Sequence, residues 1–372
     1  MNAPPEQFQP VSDNRLLCSR KDGAGARLTN LLWTWRVARR AGAATLCFWP
    51  PMDPYYGESI GSADVLDTYT LATTSIGREL QVLDGRPSDI LRAEVVTPDP
   101  DAPFDVSAYL ATPGIGRTRG APARVIDSGL PLLAEGETEE EAAEEIKALF
   151  AQLPLNRSIQ AAVKSANREH HLHSMVAVHV RRGDIVKTLR AACREYSEAE
   201  REDGSRLDRY TAHFLRCCPP PDSYFRLIRE YRARRCKVLF FSDSPDTVEP
   251  FVRRFGDEIT LARDLAPEGL NGVQQAFFEM LLMSRCRAII GAKSLFSRTA
   301  TLIGKPRFID ARRRSSPEEF VKTYKQAVRF DTQSAEVQDG VREVLLRRLT
   351  TAGFTELWNT GEEDLLRLLQ AA

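Results

Sequence analysis

The segment Ser174-Met-Val-Ala-Val-His-Val180 is an unbroken run of strand formers that stops at Arg181-Arg182-Gly183-Asp184. Two later runs have the same form. Val238-Leu-Phe-Phe241 stops at Ser242-Asp243-Ser244 and precedes a helix over Pro245 to Phe255, and Ala288-Ile-Ile290 precedes a helix opened by Ser294-Leu-Phe-Ser-Arg298. A fourth run opens the chain. Arg15-Leu-Leu-Cys18 leads to Lys21-Asp22-Gly23-Ala24-Gly25, then to Leu28, Leu31, Leu32, Trp35 and Ala38 at helical spacing, then to a strand over Ala44 to Phe48 stopped by Pro50-Pro51. Continuous apolar runs suit strands buried on both faces. Strands that alternate with helices call for a mainly parallel sheet. The chain is therefore expected to be α/β, with two such halves.

Further elements follow from spacing. A helix over Glu137 to Leu153 starts with Thr138 and Glu141 in capping-box relation. A second covers about 155–168, a third is capped by Asp222 and reaches about 235, and a fourth runs from Gln274 to Ser284. The glutamates of the first read as a solvated acidic face. The highly charged stretch 187–216 reads as an insertion, and 52–135 resists assignment because Pro and Gly break its apolar segments. Helices over 334–350 and 355–371 close the chain. The domain expectation is residues 15–165, then 170–330, then a helical 331–372, with a hinge near 155–172.

A length of 372 residues fits two domains, and 51 Lys+Arg balanced by 51 Asp+Glu gives a net charge of zero. That balance argues against a general nucleic-acid binder. Seven Cys without C-x-x-C spacing do not form a disulfide framework, so the thiols read as reduced or buried. No apolar stretch approaches a membrane span, and MNAPPEQFQPVSDNR lacks the regions of a signal peptide. The expectation is a cytoplasmic protein without a transmembrane segment, with peripheral contact to a lipid-linked substrate left open. His170, His171 and His173 cluster but lack a matching Cys or carboxylate spacing, so no metal site is expected.

Ligands of parallel sheets sit outside the carboxyl ends of strands, and four polar groups fall there: 22–27, 179–184, 242–246 and 294–298. Arg181 and Arg182 offer forked donors to phosphate oxygens, or a salt-bridge cluster with Asp184. Alternation sends neighbouring side chains to opposite faces, so one arginine faces a ligand. Ser294 and Ser297 open a helix whose unpaired N–H groups suit phosphate, or cap it, or both. Gly23-Ala-Gly25 is half of a dinucleotide fingerprint. Asp243 either contacts a nucleoside or caps a turn.

Together these segments resemble the fucosyltransferase superfamily: the α-1,6 and nodulation-type enzymes, the α-1,2 enzymes and the protein O-fucosyltransferases. His179-Val-Arg-Arg-Gly-Asp184 is similar to its H-x-R-R-x-D motif, and Val238-Leu-Phe-Phe-Ser-Asp243 to its second motif. Phe277 to Cys286 followed by Ile289 to Ser297 is similar to its third, and Gly23-Ala-Gly25-Ala-Arg27-Leu28 to its opening glycine turn. The resemblance covers about residues 15–50 and 175–305. It implies a GT-B fold, two Rossmann-like halves facing across a cleft. It also implies GDP-fucose as donor, a glycan or lipid-linked glycan as acceptor, inversion at the anomeric carbon, and neither metal nor other cofactor.

By position it places Arg181 on the β-phosphate, with His179, Arg182 and Asp184 in the same motif. Asp243 falls to the nucleoside, Ser294, Phe296, Ser297 and Arg298 to the diphosphate pocket, and Gly23 and Gly25 to the sugar. Many relatives carry Asn where this chain has Ala26, so that contact is either missing or supplied by Arg27 or Asn30. Asp22 and Asp53 are candidates for the base that activates the acceptor. Three alternatives stand beside a fucosyltransferase: a transferase for another nucleotide sugar, a sugar-nucleotide hydrolase, and a catalytically silent nucleotide-sugar-binding protein.

Overall fold

The computed structural model describes residues 15–20, 23–50, 61–85, 93–98, 102–111, 123–198, 205–292, 294–304 and 306–327. Asp22, Asp53 and the expected helices within 331–372 lie outside these residues. The chain divides into two compact units, the first made of Met1–Arg168, Ala266–Ser284 and Leu302–Gly304. The first boundary falls inside the expected hinge. The return of 266–284 to the N-terminal unit was not expected. That return is tied by Asn271, whose Nδ2 donates to Asp64 Oδ1 at 2.9 Å.

The first unit runs β1 (Arg15–Ser19), α1 (Ala24–Arg40), β2 (Ala44–Trp49), α2 (Thr68–Thr73), α3 (Ile76–Glu79), β3 (Leu80–Asp84), β4 (Ala93–Val96), α4 (Val106–Ala111), β5 (Ala123–Ile126), α5 (Glu139–Gln152) and α6 (Arg157–His170). Its sheet has the order β3-β2-β1-β5-β4 and is parallel throughout. Three strands thus come from the stretch that resisted assignment. Their residues, such as Ala93-Glu-Val-Val96, are too few and too mixed to declare a strand without neighbours to pair with.

Helix α1 is buried on nearly every side, from Ala24 to Ala38, and Gly42 ends it at φ +64°, a left-handed conformation that costs glycine least. The capping box of α5 is present, with Glu141 N–H on Thr138 Oγ1 at 3.3 Å and Thr138 N–H on Glu141 Oε2 at 3.0 Å. The solvated-face expectation fails for two of its neighbours. Arg36, with only 1 % of its side chain exposed, pairs with Glu137 and Glu145, and Arg40 pairs with both as well. Burial works against the Glu137 carboxylate. The Ala134 N–H and the Arg36 guanidinium outweigh it and hold its pKa below the ordinary value.

The second unit runs β6 (Val176–Val180), α7 (Gly183–Glu198), α8 (Ser205–Cys217), α9 (Pro221–Ala233), β7 (Val238–Ser242), α10 (Pro245–Phe255), β8 (Ile259–Leu261), α11 (Gly272–Arg285, grouped mostly with the first unit), β9 (Ala288–Gly291), α12 (Leu295–Ile303), β10 (Arg307–Asp310) and α13 (Pro317–Ala327). Its sheet, order β10-β9-β6-β7-β8, is also parallel. Asp222 sits in the first turn of α9, one residue past Pro221, and Pro220 holds the cap position. The alternation of β6 sends Val176, Val178 and Val180 into a core with Tyr224, Phe240 and Phe251. Ala177 and His179 therefore take the other face.

The stretch 187–216 is not an insertion. It forms α7 and α8, packed on each other, with Ile185, Leu189, Ala192 and Cys193 buried at helical spacing. Phe214 of α8 meets Tyr324 of α13 edge to face at 5.5 Å, and Thr211 Oγ1 lies 3.1 Å from Tyr324 Oη. The density of charge in the sequence masked a narrow apolar stripe. Each sheet starts from its central strand and reverses direction once, next to β1 in the first unit and next to β6 in the second.

Candidate functional site

The reversal in the second sheet places the carboxyl ends of β7, β6 and β9 side by side, with the start of α12 just beyond β9. This is where parallel sheets take ligands. Three of the four polar groups read from the sequence meet here.

His179 comes from the end of β6. Its ring lies 5.3 Å from that of Phe296 in the first turn of α12. It is 6 % exposed, its Nδ1 finds no partner, and burial, helped by the charge of Arg181, pushes its pKa down to about 3. The imidazole is therefore neutral at any ordinary pH. Gly291 brings β9 flush against this strand, since a Cβ there would meet the His179 carbonyl at 3.3 Å.

Arg181 follows on the same alternation parity as His179. Its Nε donates to Asp184 Oδ1 at 3.2 Å and its Nη2 to Asp184 Oδ2. Burial opposes the guanidinium charge, but the hydrogen bond and charge of Asp184 outweigh it and raise the pKa further. In turn Arg181 holds Asp184 below the ordinary carboxylate range against the effect of burial. Two of the five guanidinium donors are engaged in this pair, which leaves the remainder for a second anion. The Cys218 thiol donates to the Arg181 carbonyl at 3.4 Å from beneath. The Arg182 side chain has no hydrogen bond or ion pair among the described residues.

Asp243, just past the end of β7, is engaged by backbone donors. Its Oδ1 accepts the Arg182 N–H at 3.0 Å and the Gly183 N–H at 3.1 Å, and its Oδ2 accepts the Gly183 N–H at 3.1 Å. Burial, reinforced by the Asp184 charge, raises its pKa despite those donors.

The start of α12 shows the capping role read from its sequence. Ser294 Oγ accepts the Ser297 N–H at 3.2 Å and lies 2.9 Å from Ser297 Oγ, which also lies 2.9 Å from the Ala292 carbonyl. The hydroxyls thus cap the helix and each other. The Leu295 and Phe296 N–H groups remain without a partner among the described residues, at the positive end of a helix dipole. Arg298 lies in that first turn, partly buried, its N–H on the Ser294 carbonyl at 2.9 Å.

The fourth group, after β1, is built differently. Gly23 precedes α1 with no side-chain cap, and Gly25 is buried in its first turn. Arg27 is 4 % exposed; its Nη1 donates to the Pro50 carbonyl at 2.7 Å and its guanidinium lies 5.6 Å from the Trp49 ring. Asn30 Nδ2 donates to the Ile126 carbonyl at 3.1 Å, and its Oδ1 accepts the Ser128 N–H at 3.2 Å. Both side chains that could replace the missing Asn are thus engaged by the fold. Ala26 itself is buried. Among the described residues no group of three His, Cys, Asp or Glu could hold a metal ion, and no helix is long and apolar enough to cross a membrane.

The chain is similar in structure to known fucosyltransferases. The fucosyltransferase NodZ from Bradyrhizobium matches at 19 % identity and TM-score 0.44, over 81 % of this chain and 96 % of that one. The NodZ α-1,6-fucosyltransferase co-crystallised with GDP matches at 19 % identity and TM-score 0.45, over 81 % and 95 %. POFUT1 in complex with GDP-fucose matches at 12 % identity and TM-score 0.43, over 80 % and 97 %. No family model and no curated protein matches the chain. Scores below 0.5 assign no residue a role, so the α/β architecture of two Rossmann-like halves rests on the two sheets themselves.

Proposed function

We propose that the chain is a GT-B-type glycosyltransferase of the inverting, metal-independent kind that transfers fucose from GDP-fucose to a glycan acceptor. One observation carries the reading: a paired Arg181, an Arg182 side chain and two α12 N–H groups without a partner among the described residues lie around the carboxyl ends of β6 and β9. A leaving nucleoside diphosphate gains negative charge as the sugar's C1–O bond ionises. Fixed cations and helix-start donors stabilise that charge as it develops. Neutral His179 and Phe296 lie beside it and add no competing charge. The acceptor hydroxyl needs a base, for which Asp22 and Asp53 remain the candidates. Cytoplasmic residence belongs to the same proposal and agrees with seven free, buried cysteines.

The test is calorimetric titration with GDP, ADP and UDP, followed by product detection from GDP-fucose with a panel of glycan acceptors. Preferred binding of GDP with transfer supports the reading, and equal affinity for all three nucleotides overturns the donor. A second reading has its own observation. Ala26, Arg27 and Asn30 leave the opening turn without the side chain that relatives use, which favours a protein that binds the nucleotide sugar and transfers nothing. Tight GDP binding without turnover on any acceptor would decide for it.

A further inference from the structure

Two helices start at the carboxyl ends of adjacent strands in the second sheet, and they differ at their first turns. The start of α12 keeps two N–H groups without a partner among the described residues. The start of α7 is filled by a carboxylate from another strand, because Asp243 takes the Arg182 and Gly183 N–H groups in three contacts of 3.0–3.1 Å. An anion already sits where a phosphate would bind.

The fit is close. A Cβ on Gly183 would come within 3.2 Å of the Asp243 carbonyl, 3.3 Å of Ser244 Cβ and 3.4 Å of Asp243 Cγ. A side chain here would push the end of β7 away by a few tenths of an ångström. The turn held in this way is the one that carries Arg181, and Arg181 is oriented in turn by Asp184. Asp243 thus closes the backbone side of the turn and Asp184 its side-chain side.

We propose, on the reading that this site binds a nucleoside diphosphate, that Asp243 is a positioning residue: it fixes the Arg181–Gly183 turn, denies phosphate the start of α7, and makes no base-specific contact with the nucleotide. Diphosphate is directed to Arg181 and the start of α12. The nucleoside is read by other residues.

The proposal separates diphosphate from nucleoside, and so does its test. Wild type, Asp243→Ala, Asp243→Asn, Gly183→Ala, Arg181→Ala and the Arg181→Ala/Asp243→Ala pair are titrated as full chains with GDP, inorganic pyrophosphate and guanosine, after circular dichroism confirms folding. Asp243→Ala should weaken GDP and pyrophosphate about tenfold or more and leave guanosine within about twofold. Asp243→Asn keeps one oxygen for both N–H groups and should recover part of the loss. Gly183→Ala, which alters the same contact from the opposite side, should reproduce the pattern if Asp243→Ala fails to fold. In the Arg181→Ala background the added loss from Asp243→Ala should fall to about twofold or less, since Asp243 acts through the turn.

Equal weakening of guanosine and GDP would make Asp243 a nucleoside contact and overturn the inference. So would fully additive losses in the double variant. Both results leave the phosphate site standing. A wild type that binds neither GDP nor pyrophosphate overturns the site itself, and the inference falls with it.

Discussion

The turns after β1 and β6 occupy the same place in two sheets of one kind. Each follows the central strand, next to the point where strand order reverses, and each opens a long helix. Their side chains are used in opposite ways. After β1, Arg27 and Asn30 are buried and tie α1 to the ends of β2 and β5. After β6, Arg181 is paired but keeps donors to spare, and the Arg182 side chain and the His179 Nδ1 find no partner among the described residues. Similar topology hence does not imply similar work. On the proposed function the donors after β6 serve an anion, whereas Arg27 and Asn30 after β1 serve packing.

The largest effects come from exchanging losses between the two turns. Arg181→Ala should lower GDP affinity by at least roughly 1.5–3 kcal/mol, a factor of about ten to over a hundred, and should abolish transfer, with some loss of melting temperature because Asp184 is left unpaired. Arg181→Lys should bind poorly as well, because it loses the fork. Arg27→Met should do the reverse. It strands the Pro50 carbonyl and should destabilise the fold by about 1–3 kcal/mol, with GDP affinity nearly unchanged in the folded protein. Calorimetry and thermal melts on the same samples separate the pair. If Arg27→Met removed GDP binding and Arg181→Ala only lowered the melting point, the contrast would be reversed.

A comparable effect is expected from pH. His179 titrates near 6.5 when unfolded and near 3 when folded. Above pH 6.5 it is neutral in both states and contributes no pH dependence. As pH falls from 6.5 towards 3, the unfolded chain takes up a proton that the buried ring refuses, so stability declines. At pH 5 the deficit relative to pH 7.5 should be about 2 kcal/mol. His179→Gln should remove that component. Urea unfolding of both proteins at the two pH values measures it, and parallel pH dependences would show that the ring titrates normally.

The smallest expected effect is none at all. With arginines and helix N–H groups at the diphosphate, EDTA should leave transferase activity unchanged. Loss of activity restored by Mg²⁺ or Mn²⁺ would mean that the turn after β6 works with a metal rather than in place of one.

Much of this contrast was legible in the residues. Val238 to Phe241, Ala288 to Ile290 and the Pro245–Phe255 helix lie where their runs and stops put them, because long apolar runs and Pro at a helix start carry strong local signals. The α5 cap was likewise written in Thr138 and Glu141. The helices α7 and α8 were not legible, since their few buried positions lie among many charges and find meaning only against α13. The site residues around Arg181 and Ser294 were recognisable as residue types at strand ends. What Asp243 holds and what Arg27 touches were not.

The sequence by itself determined the alternation of buried strands and helices, and with it two parallel sheets and the placement of polar residues at their carboxyl ends. Periodicity and turn chemistry act over a few residues, and a single chain displays them in full. Only the tertiary structure decided which polar residues remain available. Arg27 and Arg181 are equally charged and both follow a central strand. One meets a carbonyl and an indole across the fold, and the other meets a neighbouring carboxylate that leaves part of its fork open. Those partners lie 23 positions from Arg27 in one case and three positions from Arg181 in the other. Strand order, which no local pattern encodes, brings the distant one into reach.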